Sequence, residues 1–488
     1  MRPVHAMCMY ATNLNELDAD GLLFEPQERT SDLQFSSAMN TILLAAWLFV
    51  CAVGFGIIFL AKSPLAGAAV IALPTFVGML IKPTFALCIL MLVLPTGAGV
   101  GFRQAFSLDR GVGLALAASF MLNAMLTRPG LRVRHRALWL AGGLSLWIFL
   151  ASLPQPYLKM EVMRAFTQFQ LLALVLIVYW ILETNYERTF LWALRSYVIG
   201  MVGTTVLAIK TGASIRAMQE TQDVRYTATL GNAIDANMLA ALTALAFISA
   251  VYLFARDKRL FWRIVYLIAI LFLPVMMIKI GSRGGLVALA FTLLSPLLFV
   301  RQVLRRPTLA VLLILMVLLA SASAGFLIKQ RGLESSVAAR LTDVERAKTA
   351  IDFRMRPIKK AVAAVAERPA GSGYYSWFER TGSQIWPHND FFFALGVYGI
   401  PGAILFTVFV VLLMLTVKRM PLTLEKLYAR AVLTFLLVMG LNIKQISAKY
   451  YWVFLAFVLA AERLSWWRAE EEEDLTNEMD EELAYPDD

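Results

Sequence analysis

DFFFALGVYGIPGAILFTVFVVLLMLT, residues 390–416, opens on one acid and then continues to Thr416 without another charged side chain. A helix rising about 1.5 Å per residue over that stretch is longer than the ~30 Å of bilayer hydrocarbon. The apolar residues are continuous rather than alternating, which excludes a barrel strand. A membrane-spanning helix is the reading that remains. Runs of the same kind recur along the chain, giving about fourteen candidate spans. They fall near 40–60, 64–81, 84–100, 111–126, 137–153, 166–182 and 190–209, then 237–255, 261–280, 284–300, 308–328, 390–416, 427–442 and 450–463. Of 488 residues 59% are hydrophobic and only 16% charged, more apolar surface than one soluble core of this length absorbs. The chain is therefore expected to be an all-α, polytopic integral membrane protein with about 12–14 transmembrane helices.

Short basic loops orient the spans. Arg128, Arg132, Arg134 and Arg136 form one cluster, and Arg256, Lys258, Arg259 and Arg263 a second. Arg301, Arg305 and Arg306 form a third; Lys418, Arg419, Lys426 and Arg430 a fourth. Placing all four in the cytoplasm satisfies the positive-inside rule and lets the spans alternate without conflict. Both termini are then inside, and the loops 154–165, 210–236 and 329–389 are outside. The expected organisation is a disordered cytoplasmic tail over 1–39 and transmembrane helices with short loops over 40–328. A helical periplasmic loop domain over 329–389, C-terminal transmembrane helices over 390–463 and an acidic cytoplasmic tail over 464–488 complete it. Cys8, Cys51 and Cys88 form no disulfide or zinc pattern. The run near Ile42 reads as a retained signal anchor rather than a cleaved leader.

Few residues outside the membrane can carry chemistry. Of three histidines, His5 is in the tail and His135 in a basic inner loop; His388 alone stands outside, beside Asn389 and Asp390. An imidazole there can act as general base on a hydroxyl, while the same trio can equally form a helix N-cap. Gly281-Ser282-Arg283-Gly284-Gly285 breaks two apolar runs on the outer side. Its glycines admit an anion to the backbone and its arginine offers a phosphate fork, or it is a tight turn whose arginine snorkels. Arg225 precedes Asp235, Asn237 and a new span, which suggests a polar cavity or a solvated loop with a cap; Arg216 rivals it. Basic stretches with Arg340 and Arg346, then Arg354, Arg356, Lys359 and Lys360, suit a polyanionic partner or a solvated helix face. No nucleophile elbow, P-loop, HExxH or kinase set is present.

These pieces come in a recognisable order. Arg356-Pro357 leads to Glu367-Arg368-Pro369-Ala370-Gly371-Ser372-Gly373-Tyr374, and after a spacer His388-Asn389-Asp390 opens a span containing Gly396, Gly399 and Gly402. This order resembles the core of the bacterial O-antigen ligase and polymerase superfamily. Ser282-Arg283-Gly284 and Arg225 upstream of Asn237-Met238-Leu239-Ala240 are similar to its other motifs, so the likeness covers roughly residues 220–465. Both tails, and Thr381 to Pro387, depart from that pattern. The resemblance implies a GT-C-like glycosyltransferase in the bacterial inner membrane that works on the periplasmic face. It would move a glycan from undecaprenyl diphosphate to a hydroxyl of lipid A–core or of a second lipid-linked glycan. Ligase is slightly preferred to polymerase, with no metal, no cofactor and no nucleic acid involved. Arg225, Arg283 and Arg356 would contact the diphosphate, and His388 would activate the acceptor. Asn389, Asp390, Gly371 and Gly373 would support them. A transporter or flippase of lipid-linked sugar is the rival of a different class; it expects ionisable groups inside spans, where few occur.

The +11 net charge is unevenly distributed. The stretch 469–488 holds 11 acids and no Lys or Arg, and the expected outer loop 329–389 holds 11 Lys and Arg against 6 acids. The positive-inside rule alone predicts the reverse for an outer loop. An outward-facing anion site accounts for it.

Overall fold

A computed structural model describes residues 53, 64–96, 108–127, 135–184, 186–210, 216–218, 223–225, 235–294, 344–383 and 385–484. The expected tail 1–39, the spans at 40–60 (Val53 apart) and 308–328, and the start of the 329–389 loop lie outside these residues. The chain divides into two compact units, 1–74 and 75–488. The first unit is described only at Val53 and along the beginning of α1 (Pro64–Ile81). The rest of α1 and every later element belong to the second.

The fold is helical. In chain order come α2 (Pro83–Val93), α3 (Leu108–Thr127), α4 (Arg136–Ser152), α5 (Leu158–Thr184) and α6 (Tyr186–Lys210). After a ribbon of β1 (Arg216–Met218) and β2 (Asp223–Arg225) come α7 (Ala236–Arg256), α8 (Leu260–Ile280) and α9 (Arg283–Leu294). The remainder is α10 (Val344–Glu367), the short α11 (Trp377–Thr381), α12 (Asp390–Arg419), α13 (Leu424–Gly440) and α14 (Lys449–Ala484). Five segments among the described residues, within α5, α6, α7, α8 and α12, are long and apolar enough to cross a membrane. Shorter apolar helices accompany them at Val70–Ile81, Pro83–Thr96, Arg136–Ser152 and Arg283–Leu294. The exposed face of α12 is what a lipid-facing helix requires. Ile400, Ile404, Val408, Val411 and Leu415 recur at helical spacing and are all exposed, where a soluble helix would carry polar residues.

Small side chains set the packing. Ala240, Ala241, Ala244 and Ala250 line α7, which is enclosed by α6, α8, α9 and α13. Alanine lets helix backbones approach where there is no water to drive association. The C-terminal helix α14 is buried from Tyr450 to Ala461 and packs on α5 and α13. It does not end with its apolar run at 463. Glu and Met are good helix formers, and Arg463 with Glu183 and Arg468 with Glu187 carry the ordered helix onward, so helix occupies 464–484 of the expected acidic tail.

The ionic contacts define one end of the bundle. His135 before α4 meets Glu462, Arg256 at the end of α7 donates to Glu187 at the start of α6, and Arg195 pairs with Asp257. The starts of α5, α7, α9, α12 and α14 lie at the opposite end, together with α10 and α11. The four basic loops and the three expected outer loops thus segregate to opposite ends wherever their helices are described.

The helix α12 is broken at Gly399, which takes φ 74° and ψ −171°. Pro401 has no N–H to give. The carbonyls of Gly396 and Val397, which would have bonded Ile400 and Pro401, instead accept from Ser372 N (3.0 Å) and Gly373 N (3.1 Å). Tyr398 O accepts from the indole of Trp147 on α4 at 2.7 Å. Ile400 N, the freed donor, reaches Pro369 O at 2.8 Å. These four groups are therefore satisfied, three of them by the segment 369–373. The approach needs two glycines without Cβ, Gly399 and Gly371 (φ 101°), whose backbones face each other. Gly399→Ala is expected to lower stability by at least about 2 kcal/mol through overlap and left-handed strain. Thermal unfolding followed by size-exclusion in detergent checks this; a variant as stable as the natural chain would contradict it.

Candidate functional site

The segment after α10 is fixed at five successive amides. Ser372 and Gly373 bond α12 as above. Tyr374, Tyr375 and Ser376 donate their N–H groups to the Glu161 carboxylate of α5, at 2.8, 2.7 and 3.1 Å. Glu161 is buried, and its charge is matched by these donors and the start of α11. Its role is mooring. Gly371 and Gly373, expected as supporting residues, are the residues that let the segment enter the helix break. Arg380 completes the docking by donating to Ser372 O at 2.9 Å and to Gln155.

Asn389 and Asp390 split the work at the start of α12. Asn389 is the N-cap, its Oδ1 accepting from Phe391 N (2.9 Å) and Phe392 N (3.2 Å). Asp390 is buried and accepts from Gln445 N (2.7 Å) and Ile446 N (3.0 Å), which holds the turn between α13 and α14. Lys444 is on that turn. Its ammonium donates to Tyr374 Oη at 3.0 Å and lies 4.1 Å from the Trp386 ring centroid and 4.8 Å from that of Phe393. Arg164 stacks on Tyr374 at 4.5 Å. Burial pushes Lys444 down to about 7, helped by Arg164 and opposed by Asp390.

His388 stands beside this turn. Burial holds its pKa below the ordinary 6.5; Arg354 and Lys444 act in the same direction, and Asp235 opposes them. Within the trio Asn389 caps the helix, and burial holds the His388 imidazole towards its neutral form. Arg354 of α10 also approaches Asn442 Oδ1 at 3.5 Å, and Asn442 lies against Gly284 at the start of α9. Ser282 caps α9 and donates to Asn237 Oδ1 at 2.8 Å, next to the N-cap Asp235 of α7. Three helix N-termini, those of α7, α9 and α12, thus converge on one basic cluster, each contributing positive potential.

The structure brings His388, Asn389, Asp390 and the Ser282-Arg283-Gly284 break together. Arg283 begins α9, one residue from the Gly284 contact with Asn442. Arg356 is different: it is exposed on α10, whereas Arg354, about 200° around the same helix, faces His388. Arg225 ends β2 directly opposite its rival Arg216 in β1, and its side chain lies outside what the structure describes. Sequence reasoning missed Lys444, Asn442, Arg164 and the mooring role of Glu161. Lys444 had a signal, as one of two lysines (with Lys449) between two apolar runs on the outer side. Glu161 had none, because its donors are amides 213–215 residues away. Among the described residues no three His, Cys, Asp or Glu side chains gather as metal ligands.

A scan of protein-family models finds none that matches the chain, and a search of curated proteins finds no match either.

Replacing Glu161 by alanine leaves three N–H groups with no acceptor, at a cost on the order of 3 kcal/mol or more. The segment should loosen, and trypsin should cut after Arg380 at least about tenfold faster. Mass spectrometry of timed digests of the reconstituted protein tests this; an unchanged cleavage rate would refute the mooring.

Proposed function

We propose that the chain is a membrane glycosyltransferase of the O-antigen ligase type. It takes a glycan from undecaprenyl diphosphate and passes it to a hydroxyl of lipid A–core at the periplasmic face of the bacterial inner membrane. The observation that carries the reading is the position of His388, half-buried beside Arg354 and Lys444 where three helix N-termini meet. The order of motifs over 220–465 supports it from the sequence side.

The chemistry needs two things. The bond between the sugar's anomeric carbon and the diphosphate oxygen breaks, and the diphosphate departs with the bonding electrons. Arg354, Lys444, Arg283 and the helix N-termini stabilise that charge, which grows towards the transition state. The acceptor oxygen forms the new glycosidic bond and its proton passes to His388. An imidazole already protonated could not take it, so neighbours that depress its pKa serve the reaction. A bound diphosphate would favour the charged form of Lys444, which burial alone disfavours. The GT-C-like architecture, with 329–389 as a periplasmic domain, belongs to the same reading. The transport alternative finds less support: Glu161, Arg195 and Asp390, buried ionisable residues within candidate spans, are each held by fixed partners.

Purified chain supplied with undecaprenyl-diphosphate glycan should yield product only when lipid A–core is added. A ladder of longer glycan without core would mean polymerase, and no product under either condition would sink the reading. His388→Ala should lower transfer by ~10² or more while leaving the protein in the membrane. Arg283→Lys should also be impaired, since an ammonium lacks the bidentate fork. The pH profile gives a separate check. Because the active form is the neutral imidazole and its pKa is lowered, the rate should fall with acidification and reach half-maximum below pH 6.5. A half-maximum above pH 7 would rule out His388 as the base.

A further inference from the structure

One helix at the site end presents a face that nothing among the described residues covers. Around α10, Pro357, Ala361 and Ala364 turn towards α12, with Ala361 packed against Gly396 so closely that a Cβ there would stand 2.9 Å from its own. About a third of a turn away, Ile351, Met355 and Val362 form an exposed apolar stripe at helical spacing. Beyond them, in the next sector, come Lys359 and Arg356 with Asp352 between them, all exposed. The helix thus has three faces: docked, apolar and charged. A helix bathed only in water would not present the middle one.

Depth identifies what covers it. Gly396 lies six residues into α12, ~9 Å from its start. The 30 residues of α12 span ~45 Å against ~30 Å of hydrocarbon, so each end projects by ~7 Å. The crossing of α10 on α12 therefore falls within a few ångströms of the hydrocarbon boundary. At that level an apolar face bordered by cations meets acyl chains on one side and headgroup phosphates on the other.

We infer that α10 is an interfacial helix whose Ile351–Met355–Val362 face is seated in the outer leaflet of the membrane, with Arg356 and Lys359 on the headgroups of anionic phospholipids. Arg354, on the docked side of the same helix, is thereby held at the level where a lipid-linked diphosphate would sit. The seating rests on the membrane span of α12 and not on the proposed glycosyl transfer, so either can fail alone.

The test places a photoactivatable side chain at Met355, Val362, Phe353 or Lys360 of the full chain. The protein is reconstituted in vesicles of phosphatidylcholine with an equal share of phosphatidylglycerol, irradiated, and its adducts weighed by mass spectrometry. Lipid adducts at 355 and 362 are expected to exceed those at 353 and 360, which lie about half a turn away, about tenfold. Phosphatidylglycerol should be favoured among them about fivefold, a preference lost when Arg356 and Lys359 are both changed to Gln. Equal yields at all four positions would overturn the seating, as would crosslinks to a second copy of the chain. Equal capture of both lipids would overturn the headgroup contact.

Discussion

A backbone group freed inside a membrane helix has no water to turn to, so its partner has to come from the protein. The break of α12 at Gly399 frees three carbonyls and one amide, and the chain answers with Pro369–Gly373 and the Trp147 indole. Much of the outer end depends on that exchange. The segment that fills the break leads directly into the amides held by Glu161, and from there into the aromatic residues around Lys444. The same helix, at its first turn, holds the 445–446 turn through Asp390. One interrupted helix thus anchors both sides of the cluster, the loop from above and the α13–α14 turn from below.

The electrostatics of that end are lopsided. Lys444, Arg354, Arg164 and Arg283 gather there with the N-termini of three helices, while the nearby carboxylates are engaged: Asp235 caps α7, Asp390 holds a turn and Glu161 binds amides. Carboxylates used for mooring neutralise less of a neighbouring cation than free ones would. Burial of Lys444 and His388 registers the imbalance, since both are pushed towards their neutral forms. An anion arriving at the cluster would relieve it. At the opposite end the pattern is reversed, with Arg195, Arg256, Arg463 and Arg468 each meeting an acid.

Five of the expected spans were legible because a run such as 390–416 admits only one continuous reading. His388, Asn389 and Asp390 were legible as a group, because a polar trio before an apolar run is rare. The choice between Arg354 and Arg356 was not, since both stand in one basic stretch and only the face that packs on α12 separates them. The break at Gly399 left a visible trace in Gly-Ile-Pro-Gly, but the trace does not say what fills it. Nothing in the sequence marks Glu161; its meaning lies in backbone amides more than 200 residues away, which no local pattern encodes.

Hydrogen exchange over residues 370–378 of the detergent-solubilised chain tests the account most directly. Five successive amides, Ser372 to Ser376, lie outside any regular element, yet each is bonded to α12 or to Glu161. The docking predicts that this peptide exchanges as slowly as the buried turns of α12. Exchange within seconds, at the rate of an open loop, would mean that the segment does not fill the break and that the site has no fixed wall.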